Sequence, residues 1–128
     1  MDGMRVLLVD DEEELVETIA ERLELRGIVA ETVTNGEEAL QRVLEKPFDV
    51  VLLDVKMPGL GGMEVLKLIR MQRPNTQVIL ITGHASVENG DRRLLEGAFD
   101  FIVKPVDIEV LVDKMKEATQ RRKESDKP

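Results

Sequence analysis

The chain has no cysteine, no tryptophan and no tyrosine, and a single histidine among its 128 residues. Without cysteine there is no disulfide framework, and the redox compartment leaves no mark on the composition. A chain of this length needs no such staples, because it can bury about two thirds of the surface its unfolded form exposes. Long apolar runs are also missing. None approaches the ~20 residues of a membrane span, and no apolar segment precedes the first strand-like run, so the expected location is the cytoplasm and not a membrane. Basic residues are in deficit: 18 Lys and Arg face 26 Asp and Glu, a formal net charge of -8. That argues against this chain gripping nucleic acid itself, since phosphate contacts need a basic surface. Ser/His/Asp catalysis finds little support either, because His84 is the sole histidine and no serine sits on a strand-to-helix elbow.

What is present is a rhythm. Short apolar runs rich in β-branched residues (Val6–Val9, Val50–Leu53, Val78–Ile81, Phe99–Val103) alternate with stretches whose apolar residues recur at helical spacing. Val50–Leu53 has no polar residue and is too short for a buried helix, so it reads as a central strand covered on both faces. Ile28–Val33, with Glu31 and Thr32 inside it, reads as a more exposed strand suited to an edge. Helices are predicted over the residues after Asp11, over Glu37–Glu45, over Met63–Gln72, over roughly Val87–Glu96 and from Ile108 onward, with Asp107 as the last one's N-cap. The Val87–Glu96 helix is the poorest, since Gly90 alone lowers its propensity by about 1 kcal/mol. After Thr119 the sequence turns polar and reads as fraying helix, then tail. Five strand–helix units with short connections imply an α/β fold: a five-stranded parallel sheet with right-handed crossovers and helices on both faces, occupying 1–118, with 119–128 a polar tail or the start of a linker.

Four of the five predicted strands end on a reactive side chain: Asp10 and Asp11, Asp54, Thr82, and Lys104. Parallel strands bring their C-terminal ends to one edge, where open α/β sheets keep their sites. With strand order 2-1-3-4-5, the first and third strands are neighbours about 4.8 Å apart, so Asp10, Asp11 and Asp54 crowd one crevice. Each carboxylate pair there repels by roughly 3 kcal/mol at ~5 Å and an effective dielectric near 20. Lys104 cancels one charge, and the remaining two suit a divalent cation. Oxygen ligands without nearby His or Cys favour Mg²⁺, or Mn²⁺, over zinc. An acid cluster, a free carboxylate, a hydroxyl and an ammonium group fit phosphoryl transfer, with Asp54 as the carboxylate nucleophile.

Val9-Asp10-Asp11-Glu12, Leu53-Asp54-Val55-Lys56-Met57-Pro58-Gly59, Ile81-Thr82-Gly83-His84-Ala85 and Gly97-Ala98-Phe99-Asp100-Phe101-Ile102-Val103-Lys104-Pro105, in this order, resemble the receiver domain of bacterial two-component response regulators, with its flavodoxin-like receiver fold. The resemblance runs from Val6 to about Lys116. It implies that Asp54 accepts a phosphoryl group from a sensor histidine kinase. It further implies that Asp11 and Asp54 ligate Mg²⁺ with the Lys56 backbone carbonyl, Asp10 acting largely through water. Thr82 would bond a phosphoryl oxygen and Lys104 would pair with the phosphate. Thr82 and Phe101 would form the switch that reshapes the face of the fourth helix, fifth strand and fifth helix. Lys104-Pro105 matches a peptide that is usually cis in the family. The stretch Gly97–Phe101 has the tone of receivers attached to transcriptional activators of the ATPase type. An output domain or partner, and a homodimer formed on phosphorylation, are further expectations. The domain would then catalyse only its own phosphorylation and dephosphorylation.

Plainer readings stand beside these. The acids from Asp10 to Glu14 also favour the positive end of the first helix, Thr82 also suits an N-cap, and Phe101 also suits an ordinary core position. A receiver-like interaction module that never carries phosphate would be marked by a missing acid, threonine or lysine, and none is missing. A flavin or nucleotide binder of the same topology would need a glycine- or hydroxyl-rich cradle where this chain has Asp10-Asp11-Glu12-Glu13.

Overall fold

The computed structural model describes residues 3–57, 59–83 and 97–125; the predicted Val87–Glu96 helix, His84 and Gly90 lie outside the described residues. The apolar runs form strands β1 (Arg5–Val9), β2 (Val29–Val33), β3 (Val50–Asp54), β4 (Gln77–Thr82) and β5 (Asp100–Val103). They pair in parallel in the order β2-β1-β3-β4-β5. The helices are α1 (Glu13–Glu24), α2 (Gly36–Glu45), α3 (Gly62–Gln72) and α4 (Ile108–Ser125).

Alternation along each strand divides the core in two. Val6, Leu8, Val50, Leu52, Ile79 and Ile81 face α1 and α4, meeting Val16, Ile19, Leu23, Leu111 and Met115. Leu7, Val9, Val51, Leu53, Val78 and Leu80 face α2 and α3, meeting Ala39, Val43, Val65, Leu66 and Ile69. Both faces of β3 are therefore covered, and every residue of it is buried. Each Leu or Ile so enclosed contributes about 2 kcal/mol. β2 is an edge strand as its composition requires. Glu31 within it is held by Arg42 at 2.7 Å and Lys46 at 3.3 Å.

Helix ends follow the local chemistry. Asn35 Oδ1 accepts from the Glu38 N–H at 2.8 Å to cap α2, and Asp107 Oδ1 accepts from the Glu109 N–H at 2.9 Å at the start of α4. The strands and helices otherwise begin and end within a residue or so of the expected positions. The exception is α4, which continues to Ser125 where the polar sequence pointed to fraying after Thr119. Thr119 is itself buried, and its hydroxyl donates to the Met115 carbonyl at 3.0 Å, satisfying it within the helix. Gln, Arg, Lys and Glu beyond it are good helix formers without an apolar stripe, so propensity carries the helix where periodicity gave no sign.

Candidate functional site

The parallel sheet sets the site through its register. Val9 lies beside Leu53, so the next residues, Asp10 and Asp54, emerge side by side at the C-terminal edge. Both stand at alternate positions with Leu8 and Leu52, on the sheet face that packs against α1 and α4. Lys104 follows β5 at the position alternate with Ile102, on the same face. Its side chain crosses the end of β4 at Gly83, where even an added Cβ would lie 4.0 Å from Lys104 Cδ. A longer side chain there would obstruct that path.

The two acids are held alike. Asp10 Oδ1 accepts from the Glu12 N–H at 3.0 Å, and Asp54 Oδ1 accepts from the Lys56 N–H at 3.1 Å. Each carboxylate is thereby fixed by the backbone amide two residues on, leaving its Oδ2 turned to Lys104. The ammonium lies 3.0 Å from Asp10 Oδ2 and 4.0 Å from Asp54 Oδ2. A third carboxylate, Glu12, accepts from it at 2.9 Å. Burial and then the charge of Asp10 push the Asp54 carboxyl up to about 6 from 3.8, against the opposing pull of the Lys56 amide and Lys104. Burial works against the charge of Lys104. Its hydrogen bond to Glu12 and the neighbouring Asp10 and Asp54 outweigh that and hold it above its usual 10.5.

Of the residues singled out from sequence, Asp10, Asp54 and Thr82 are buried, Asp10 completely, while Asp11 and Lys56 are exposed. Oxygens of Asp10, Asp11 and Asp54 lie within 4.8 Å of one another. Asp10 Oδ2 is buried and, although close to the ammonium, has no hydrogen bond aligned with it. A buried carboxylate oxygen in that condition is costly and fits a cation ligand. The donors are all oxygen, and Asp10, Asp11, Asp54 and Glu12 against the one lysine leave an excess of negative charge, so the set fits a hard divalent cation. Thr82 stands one residue beyond Ile81, the register partner of Asp54, and its carbonyl accepts from the Lys104 N–H at 2.8 Å. The Lys104-Pro105 peptide is cis. Phe101 is not at this cluster. It is half-buried against the α2/α3 core, on the opposite sheet face from Asp54. On the same strand, Asp100 turns the other way and pairs with Lys114 of α4.

Two glycines that the sequence marked only as chain breaks, Gly36 and Gly62, shape the loop after Asp54. An added Cβ on Gly62 would lie 2.4 Å from the Asp54 carbonyl oxygen, and one on Gly36 would lie 2.7 Å from the Leu60 carbonyl oxygen. Only glycine lets α3 and α2 come this near to the acceptor loop. Glu12 was missed, and its position at the N-cap of α1, where a short polar residue is favoured, was the available signal.

The family model for the response regulator receiver domain matches residues 6–116. The chain belongs to this family. Among curated relatives, Regulatory protein AtoC of Escherichia coli (strain K12) is 37% identical over 107 residues, covering 84% of this chain and 23% of AtoC. The DNA-binding transcriptional regulator NtrC of the same organism is 32% identical, over 96% of this chain and 26% of NtrC. The receiver thus spans about a quarter of the length of these two relatives. Among solved structures, the response regulator protein TrrA from Thermotoga maritima, in complex with Mg(2+)-BeF, superposes with a TM-score of 0.80 at 33% identity, covering 90% of this receiver and 98% of that chain. The order of strands and the acidic edge are those expected of a phosphorylation-activated signalling switch. Among the described residues, no helix is long and apolar enough to cross a membrane.

Proposed function

We propose that Asp54 is the phosphoacceptor of this receiver and that a sensor histidine kinase is the donor. The observation that carries the reading is the convergence of Asp10 Oδ2 and Asp54 Oδ2 on one ammonium group, with the Asp54 carboxyl pushed up to about 6. At neutral pH Asp54 is still mostly ionised and, being poorly solvated, is a competent nucleophile. One carboxylate oxygen attacks the phosphorus of the phosphohistidine. The P–N bond breaks, the imidazole nitrogen leaves with its electron pair, and an aspartyl phosphate remains. Lys104 is near enough to follow the charge onto a phosphoryl oxygen, and the Thr82 hydroxyl supplies a donor from the next strand end. Asp10, Asp11, Asp54 and the Lys56 backbone carbonyl would hold Mg²⁺, which supplies charge neutralisation for the phosphoryl oxygens. The later loss of phosphate by attack of water uses the same residues, so the domain acts on itself alone and not as an enzyme on other substrates.

The added charge is read at a distance. Thr82 and Phe101 lie on adjacent strands, Phe101 being half-buried on the face away from Asp54. A shift of Thr82 toward the phosphoryl group opens space beside β4 into which Phe101 turns. The surface of β5 and α4 changes with it, and that surface drives dimerisation or engages an output partner. The quarter-length coverage of AtoC and NtrC supports an attached regulatory output, reached through residues 119–128; in this reading that output is of the ATPase-activator type, another domain contacts nucleic acid, and the protein works in the cytoplasm. Incubation with Mg²⁺ and acetyl phosphate tests the core of this proposal. The wild type is expected to incorporate alkali-labile, hydroxylamine-labile phosphate and Asp54→Ala none; equal labelling of the two would refute the assignment.

A further inference from the structure

We propose that Glu12 is a positioning residue that parks the Lys104 ammonium away from Asp54 until phosphoryl transfer draws it across, an inference that rests on the reading of Asp54 and Lys104 given above. Glu12 occupies the N-cap of α1 but makes no side-chain bond to its own helix. Its backbone amide is committed to Asp10 Oδ1 at 3.0 Å. Its carboxylate instead reaches a residue 92 positions away, accepting from Lys104 Nζ at 2.9 Å. The same ammonium is 3.0 Å from Asp10 and 4.0 Å from Asp54. Lys104 is therefore drawn to the α1 side of the site, about an ångström short of contact with the nucleophile.

The arrangement has the asymmetry of a latch. Asp10 is fully buried and fixed by a backbone amide, so its share of the ammonium does not move. Glu12 has a side chain 60% exposed, so water solvates it when it lets go. Phosphorylation supplies the pull. With acetyl phosphate as donor, an Asp54 oxygen bonds to phosphorus, the P–O bond to the acetyl group breaks, and acetate departs with the electron pair. Asp54 passes from one negative charge to two, and Lys104 moves toward the new phosphoryl oxygens, releasing Glu12. Because an exposed ion pair is weak, Glu12 restrains the rate by about two- to fivefold instead of blocking it.

Three variants decide the matter: Glu12→Gln, Glu12→Asp and, as an exposed acid one residue on, Glu13→Gln. Glu12→Gln removes charge and ion pair together. Glu12→Asp keeps the charge but shortens the arm by one methylene, losing the reach to Lys104. Two measurements are made on the whole protein. One is the initial rate of phosphate incorporation from acetyl phosphate with Mg²⁺; the other is the ¹⁵N–¹H resonance of the Lys104 ammonium, identified by its loss in Lys104→Met. Glu12→Gln and Glu12→Asp are both expected to label about two- to fivefold faster and to shift the ammonium resonance, while Glu13→Gln changes neither. Acceleration in Glu12→Gln alone would mean that the negative field of residue 12 matters and the contact does not, overturning the proposal. Unchanged rates and resonance in both Glu12 variants would overturn it too, leaving Asp54 as acceptor untouched. Absence of labelling in the wild type would remove the reading of Asp54 itself.

Discussion

Replacing Asp54 with asparagine should stabilise the metal-free protein, by an amount that the site geometry sets. The folded protein raises this carboxyl from 3.8 to about 6. A folded-state pKa above the unfolded one means that the native state binds the proton more tightly. Ionisation of Asp54 therefore opposes folding, a penalty absent below the unfolded value and complete above the folded one. A displacement of that size corresponds to about 3 kcal/mol. Asparagine keeps the acceptor for the Lys56 amide, 3.1 Å away, but leaves its own NH₂ group poorly satisfied in a buried place. A net gain of about 2 kcal/mol remains once that cost is taken off. Urea denaturation in EDTA at pH 7.5 should move the midpoint up by about 1 M in Asp54→Asn, given a slope of ~2 kcal/mol per molar for a domain of this size. The difference should fall to about zero by pH 4.5 and reverse to about 1 kcal/mol in favour of the wild type near pH 3, because there the wild type has bound its proton in both states while the cost of the buried amide remains. Added Mg²⁺ should close the gap at pH 7.5 by stabilising only the wild type. An Asp54→Asn protein no more stable than wild type at pH 7.5, or one whose advantage persists undiminished at pH 3.5, would refute the electrostatic account of the site.

Lys104→Met should destabilise the metal-free protein by about 3 kcal/mol at pH 7.5, because it leaves the fully buried Asp10 without its cation; the same urea titration reads this, and Mg²⁺ should recover part of the loss. Gly62→Ala should cost about 2 kcal/mol or more, since its Cβ would fall 2.4 Å from the Asp54 carbonyl oxygen and 2.8 Å from Val55 Cα, both backbone atoms without freedom to withdraw. The strain falls on the acceptor loop, so this variant should also label more slowly from acetyl phosphate at a temperature where it is fully folded.

Much of this protein is written locally. The uninterrupted Val50–Leu53 run could be satisfied only by cover on both sides, and among the described residues α1 and α4 pack on one face and α2 and α3 on the other. The placing of Asp10, Asp54 and Lys104 at strand ends was equally legible, since a parallel sheet brings all such ends to one edge. The excess of acid at that edge, and hence the expectation of a divalent cation, came from residue types alone.

Which oxygen faces which partner did not follow. Residue type alone made Asp10 and Asp11 equivalent, and only the family resemblance gave them different roles; the fold buries one completely and exposes the other, because alternation along β1 turns Asp10 inward and the chain turns away at the strand's end. The Glu12–Lys104 contact joins residues 92 apart, and it exists only because the Lys104 side chain reaches back from β5 across the ends of β4 and β3 toward β1, past a glycine at the end of β4. The need for glycine at positions 36 and 62 likewise arises from helices approaching a loop across the core. Local pattern and propensity thus determined the elements, their order and the reactive groups at the sheet edge. Tertiary structure alone decided how those groups share one ammonium, since distance and desolvation are properties of the packed site and not of any segment within it.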